Sequence, residues 1–187
     1  DFKMVYFNAD GNESTMCGNG GRCIAAFAKR LGMVSDTMQF MAVDGLHHAE
    51  ILPDGSVALQ MQDVNAIHFH DEYTTLDTGS PHYVKAVSQL KDMDVASHGR
   101  AIRLQSQYQP KGINVNFFQL IDEKIYVRTY ERGVEAETLS CGTGVTAVAI
   151  ASVGKTIGNF AIPLITEGGL LQVSFQKRWN IPQKTSN

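Results

Sequence analysis

Strand-like alternation dominates the chain, and two helical stretches interrupt it. Phe2, Met4 and Tyr6 alternate with Lys3, Val5 and Phe7. This reads as a strand already under way, with sequence before Asp1 expected. NADGNEST, at 8–15, supplies turn residues. Ile24, Phe27, Ala28 and Leu31 then recur at i, i+3, i+4 and i+7, one face of a helix, and Gly32 stands where a C-terminal cap belongs. From about Thr37 to Gln62 the pattern is a three-stranded meander. TMQFMAV and LHHAEIL flank a turn at Asp44-Gly45, and Pro53–Gly55 leads into SVALQMQ.

The polar stretch Asp63–Gly79 reads as a connector between two units. HYVKAV is a strand, and INVNFFQLI and KIYVRTYE form a hairpin around Asp122-Glu123. After Cys141, VTAVAIASVG is apolar nearly all round, so this helix is expected to be buried on every side. FAIPLIT and LLQVSF form a last hairpin around Gly168-Gly169, and the tail IPQKTSN is expected to be disordered. Strands dominate, with one principal helix in each half. The fold class is therefore α+β: two similar domains, each an antiparallel-rich sheet or barrel around a central helix. The expected boundaries are 1–62 for a first domain carrying Cys17, 63–179 for a second carrying Cys141, and 180–187 for the tail.

Composition narrows the function classes. The 187 residues suit one large domain or two small ones. A net charge of −3 leaves no basic footprint for nucleic acid. No apolar run approaches the roughly 18 residues a membrane span needs. The first residues show no charged-then-apolar leader. Three cysteines are an odd number and too few for a disulfide framework, so reduced thiols in the cytoplasm are expected.

Two of those cysteines carry the candidate chemistry. ESTMCGNG at 13–20 and ETLSCGTG at 137–144 fit one template: Glu, three residues, Cys, Gly, any residue, Gly. Each precedes a helix. Glycine after cysteine lets a ligand approach the backbone, and unpaired N–H groups in a first helical turn bind a carboxylate and favour a thiolate. A single Cys-Gly-x-Gly is more economically a packing turn; two copies with Glu at the same offset are not. A redox pair is disfavoured, because neither cysteine belongs to a C-x-x-C. Two thiols facing one carbon suit inversion of a stereocentre, one removing a proton and the other delivering one to the opposite face. The helix N–H groups would stabilise the charge that develops, and no metal or organic cofactor is then required.

FNADGNESTMCGNGGRC and YERGVEAETLSCGTGVTA resemble the two signature segments of the diaminopimelate epimerase family, and GSPHYV and KGINVNF resemble its intervening segments. The resemblance runs in order from Phe7 to about Phe175. It implies two similar α/β domains with the active site between them, and cofactor-independent interconversion of LL- and meso-diaminopimelate on the route to lysine and peptidoglycan. It also implies a homodimer; the charge and apolar runs already argue against a nucleic-acid or membrane partner, and no metal is expected. Cys17 and Cys141 would be the acid/base pair. Gly18, Asn19, Gly142 and Thr143 would meet the reacting carboxylate. Asn8, Asn114, Glu131 and Arg132 would hold the amino groups and the distal carboxylate, and His82 and Glu131 would tune the thiols. His82 reads equally as a structural histidine. Ser80 stands where the family has a substrate-binding Asn, and one extra residue before Glu137 is expected to bulge the loop ahead of Cys141. The family's opening Gly-x-Gly-Asn-Asp-Phe segment and closing strand are not recognisable, so the first domain is expected to be incomplete. A proline or hydroxyproline racemase-like enzyme is the alternative, as is an inactive fragment of the family; Arg132 and Asn114 argue against the racemase.

Other features carry less. His47, His48, His68 and His70 read as exposed strand histidines rather than a metal set. Cys23 has packing as its default role. LKDMD at 90–94 reads as a solvated segment. GKT at 154–156 is not a P-loop, because Ala149 stands where the first glycine is required.

Overall fold

In a computed structural model, residues 2–7, 11, 13 and 16–178 are described. The chain divides into two compact units, Asp1–Asp63 and Val64–Asn187. The first unit contains β1 (Phe2–Lys3), α1 (Gly18–Arg30), β2 (Thr37–Ala42), β3 (Gly45–Ile51) and β4 (Val57–Leu59), in a sheet ordered β1-β2-β3-β4. The expected meander is present, with β2, β3 and β4 antiparallel. The opening strand is shorter than its alternation implies. β1 pairs in parallel with β2 over two residues, Met4 N–H donates to Met41, and Phe7 only bridges Glu13.

α1 ends as expected. Gly32 takes φ +69°, and the Gly32 and Met33 N–H groups donate to the Lys29 and Ala28 carbonyls. Its buried face is the expected one only in part: Ala28 is buried and Ile24 packs at the edge of the core, but the other two expected positions are exposed. Gly18, Gly21, Ala25 and Ala28 face the core, while Phe27 and Leu31 are 58% and 56% exposed. Close approach decides this. A Cβ on Gly21 would lie 2.6 Å from Met16 Cε and 2.9 Å from Leu59 Cδ2. The helix thus packs its small residues against Met16, Phe40 and Leu59.

The second unit contains β5 (Ile67–Phe69), β6 (Thr74–Asp77), β7 (Pro81–Ala86), α2 (Val95–Arg103), a 3-10 turn at Ser106–Tyr108, β8 (Asn114–Ile121), β9 (Lys124–Glu131), β10 (Ala136–Thr138), α3 (Gly142–Ser152), β11 (Gly158–Thr166) and β12 (Gly169–Lys177). They form a mixed sheet ordered β12-β11-β9-β8-β7-β6-β5, with β10 paired to β9. Two pairs are parallel, β7 with β8 and β11 with β9, and each helix makes one of those crossovers. α3 packs in a core with Val84, Val127 and Leu164. Val95 of α2 packs in a separate core with Val115, Phe117 and Tyr130. Residues 142–150 of α3 are all buried, as their unbroken apolar pattern requires.

Three expectations change here. Residues 63–79 are not a plain connector, since they include β5 and β6. The second unit holds α2 as well as α3. LKDMD is docked, with Leu90 buried and the Leu90, Lys91 and Met93 carbonyls accepting hydrogen bonds from Arg128.

Candidate active site

The two cysteine corners have the same local build. Cys17 caps α1 with φ −106° and ψ 112°, and Cys141 caps α3 with φ −118° and ψ 113°. Each cysteine carbonyl opens its helix, accepting from Gly21 N–H at 2.8 Å and Val145 N–H at 2.9 Å. Cys17 Sγ accepts from Gly20 N–H at 3.3 Å, and Cys141 Sγ lies 3.4 Å from Thr143 Oγ1. The second glycine of each motif leaves room for sulfur: a Cβ on Gly20 would stand 3.5 Å from Cys17 Sγ, and one on Gly144 3.3 Å from Cys141 Sγ. Cys17 is half-buried and Cys141 buried.

The second corner is the tighter. A Cβ on Gly144 would press into the buried Asn116 Oδ1, whereas one on Gly20 would meet no atom closer than the flexible end of Met4, Cε at 3.1 Å. Gly144→Ala is therefore expected to lower stability by about 1–3 kcal/mol and Gly20→Ala by clearly less, as measured by urea midpoints.

The glutamates of the repeated template differ. Arg128 grips Glu137 with two hydrogen bonds, Nε at 2.6 Å and Nη2 at 2.8 Å. The same guanidinium ties β10 to the 90–93 loop. Glu13 is exposed and joins Phe7 in an isolated backbone bridge. Glu137 is thus a fastening ahead of Cys141.

Under α3 lies a buried polar cluster. Asn116 Nδ2 donates to Tyr83 O at 2.9 Å and meets His82 Nδ1 at 3.0 Å, and Asn116 Oδ1 accepts from Thr129 Oγ1 at 3.0 Å. His82 Nε2 is buried without a hydrogen-bond partner among the described residues. Burial, reinforced by the Arg132 charge, pushes the imidazole down to about 3. Unfolded, it would titrate near 6.5. As pH falls, the unfolded chain takes up this proton first. The stabilisation from a neutral His82 is therefore complete above about pH 6.5 and is lost as pH falls toward 3. Between pH 7 and 5 the loss is about 2 kcal/mol, and His82→Gln is expected to flatten that slope in denaturant titrations.

Ser80, Asn114 and Arg132 converge at the ends of β7, β8 and β9. Asn114 Nδ2 donates to Ser80 Oγ at 2.9 Å and Pro81 O at 3.1 Å, and its Oδ1 accepts from Arg132 N–H at 2.8 Å. Both amide hydrogens are therefore engaged, and one Oδ1 lone pair remains for a further donor. Arg132 Nη2 donates to Ser80 Oγ at 3.2 Å and Nη1 to Lys111 O at 3.0 Å. That leaves guanidinium N–H groups available for a carboxylate. Burial, then the neighbouring Arg103 charge, lowers the Arg132 pKa. Glu131 accepts from Thr138 Oγ1 at 3.0 Å, and burial pushes its carboxyl up, opposed by that hydrogen bond.

The second unit thus gathers Ser80, His82, Asn114, Glu131, Arg132, Cys141, Gly142 and Thr143 onto neighbouring strand ends and the first turn of α3. Thr143 is buried, its carbonyl accepting from Thr78 Oγ1 at 2.9 Å. In the first unit, Gly18 and Asn19 open α1 beside Cys17, and Asn19 Oδ1 accepts from Arg22 at 2.5 Å. Asn8 and the tail at 180–187 lie outside the described residues. Asn116, Thr129 and Thr138 escaped the sequence reading. The available signal was Asn116 two positions from Asn114, on the same face of a strand. In the turn between β9 and β10, ahead of Glu137, Glu135 adopts φ +58° and donates its N–H to Glu131 O at 2.8 Å.

Two expectations fail away from the site. Cys23 is exposed rather than packed. His47 is fully buried, between Gln60 O at 2.8 Å and Asp44 at 2.9 Å. Among the described residues no group of three or more His, Cys, Asp or Glu is placed to hold a metal, and no helix is long and apolar enough to cross a membrane.

Solved structures place this α+β fold among racemase-like and PhzF-like proteins. A Bacillus anthracis phenazine biosynthesis protein of the PhzF family matches with TM-score 0.69 at 15% identity, over 95% of this chain and 73% of that one. A hydroxyproline epimerase from Agrobacterium vitis matches with TM-score 0.65 at 16% identity, over 94% and 63%. At those identities the likeness concerns the fold alone. Sequence goes further: the family model described as diaminopimelate epimerase matches residues 1–67 and 74–181. A diaminopimelate epimerase of Flavobacterium psychrophilum is 50% identical over 97% of this chain and 72% of its own length. The chain belongs to the diaminopimelate epimerase family, a family of isomerases.

Proposed function

We propose that the protein interconverts LL- and meso-diaminopimelate by a two-thiol proton transfer at the α-carbon. One of Cys17 and Cys141, as thiolate, takes the α-proton from one face; the other, as thiol, delivers a proton to the opposite face. The carbanion between these steps is held by first-turn N–H groups at Gly18, Asn19, Gly142 and Thr143. Arg132 meets the distal carboxylate, while Glu131, Asn8 and the remaining Asn114 lone pair meet the amino groups. His82 and Glu131 tune the thiols. The transfer involves no net redox change, and this reading needs no cofactor or metal. On this reading the protein works in the cytoplasm as a homodimer and serves lysine and peptidoglycan precursor synthesis.

One observation carries this reading: cysteine caps two helices with nearly the same extended backbone, each sulfur lying over a glycine three residues on. The test is deuterium incorporation at the α-carbon of LL-diaminopimelate by the full-length protein in heavy water, with proline alongside. Exchange into diaminopimelate alone is the expected result. Exchange into proline alone would assign the racemase alternative, and exchange into neither would overturn the activity.

A further inference from the structure

We propose that Asn116 is a positioning residue that fixes His82 as the Nε2–H tautomer, leaving that N–H as a donor for an anion. The amide orientation follows from its partners. Tyr83 O can only accept and Thr129 Oγ1 lies on the opposite amide atom, so the atom facing both Tyr83 O and His82 Nδ1 is the NH2 group. A donor on that side obliges Nδ1 to accept, and the imidazole proton must sit on Nε2. A protonated ring would set two donors face to face. Asn116 cannot turn over to relieve this, because the flipped amide would set its oxygen against the Tyr83 carbonyl.

The other half of the inference is the orphaned Nε2. It belongs to a fully buried ring and has no partner among the described residues. The Arg132 charge acts on the same ring. An anion brought to Nε2–H would supply the acceptor it lacks. Two anions share that chemistry, a cysteine thiolate and a substrate carboxylate. His82 then stabilises negative charge by donating a hydrogen bond and takes no proton itself. This inference rests on the two-thiol reading for its purpose, but not for its geometry.

The test is nitrogen-15 NMR of the His82 ring in full-length wild-type protein. The expected spectrum is neutral, with the proton on Nε2, throughout the working pH range. A proton on Nδ1 in the wild type would overturn the proposal, whatever the activity. A ring with the proton on Nε2 in a protein that fails to exchange diaminopimelate would uphold this inference and sink the proposed function instead. Asn116→Asp puts an acceptor beside Nδ1. It is expected to move the proton there and to slow α-proton exchange about 10- to 100-fold with KM little changed. An unchanged tautomer in that variant would also contradict the proposal. Diaminopimelate should shift the Nε2–H signal. A shift retained in the Cys17→Ala/Cys141→Ala double variant assigns the acceptor to the carboxylate, and one lost there assigns it to a thiolate. No shift in either protein refutes the donor role.

Discussion

Cys17→Ala and Cys141→Ala are each expected to slow epimerisation about a thousandfold or more while leaving the fold intact. The argument is chemical. Inversion needs a proton removed on one face and another supplied on the opposite face, and alanine can do neither. The single variants should also differ from each other. Each keeps one thiol, and that thiol can still exchange the α-proton of the stereoisomer presented to it. Cys17→Ala should therefore exchange one of LL- and meso-diaminopimelate, and Cys141→Ala the other. NMR of recovered substrate in heavy water reads this directly. Equal exchange of both isomers by either variant would show that the thiols do not divide the two faces. Circular dichroism would confirm that both variants stay folded, since cysteine to alanine at a helix cap removes little volume.

The second large effect concerns stability. Arg128→Ala is expected to cost about 3 kcal/mol or more, read as a drop in urea midpoint. The guanidinium makes both hydrogen bonds to Glu137 and donates to three carbonyls of the 90–93 loop, in a position only 19% exposed. Its removal strands a half-buried carboxylate and three acceptors together. Glu137→Ala should cost less, because Arg128 keeps its carbonyl partners and has access to water. A loss within about 0.5 kcal/mol for Arg128→Ala would mark the pair as an ordinary surface contact.

The parts of this fold with strong periodicity were legible in the sequence. The meander β2–β3–β4, the hairpin β8–β9 and the buried α3 follow directly from alternation or from an unbroken apolar run. What was not legible had weak or competing signals. β5 and β6 are three and four residues long and rich in His and Thr, too short for alternation to register. α2 carries Gly99 in its interior, a residue that argues against helix. A Cβ there would press into Tyr130 Cβ, so packing on β9 requires what propensity opposes. On α1 the hydrophobic rule chose the larger side chains, while close approach at Gly21 placed the small ones inside.

The site divides in the same way. The repeated template pointed to both cysteines, and the structure supplies matching cap geometry for each. The template treats the two glutamates alike, but among the described residues only Glu137 is fastened, by Arg128 on the adjacent strand. Asn114 was read as a substrate ligand, yet most of its hydrogen-bonding capacity goes to Ser80, Pro81 and Arg132. Ser80 accepts from both Asn114 and Arg132 and so links the two. Partnerships of this kind depend on strand register, here His82 opposite Asn114 and Asn116 opposite Thr129, which no local pattern encodes.

The central claim is that two different groups handle the proton on the two faces. Wild-type protein in heavy water, stopped at low conversion from LL-diaminopimelate, tests it most directly. Two thiols predict deuterium at the α-carbon of nearly all the meso product and almost none in the recovered LL substrate. In the wild type the removing thiol returns its proton, or the opposite thiol captures the carbanion, before the removing thiol trades that proton with solvent. The slowed single variants have time to make that trade. Comparable deuterium in substrate and product at that stage would mean a single group serving both faces, and would contradict the account.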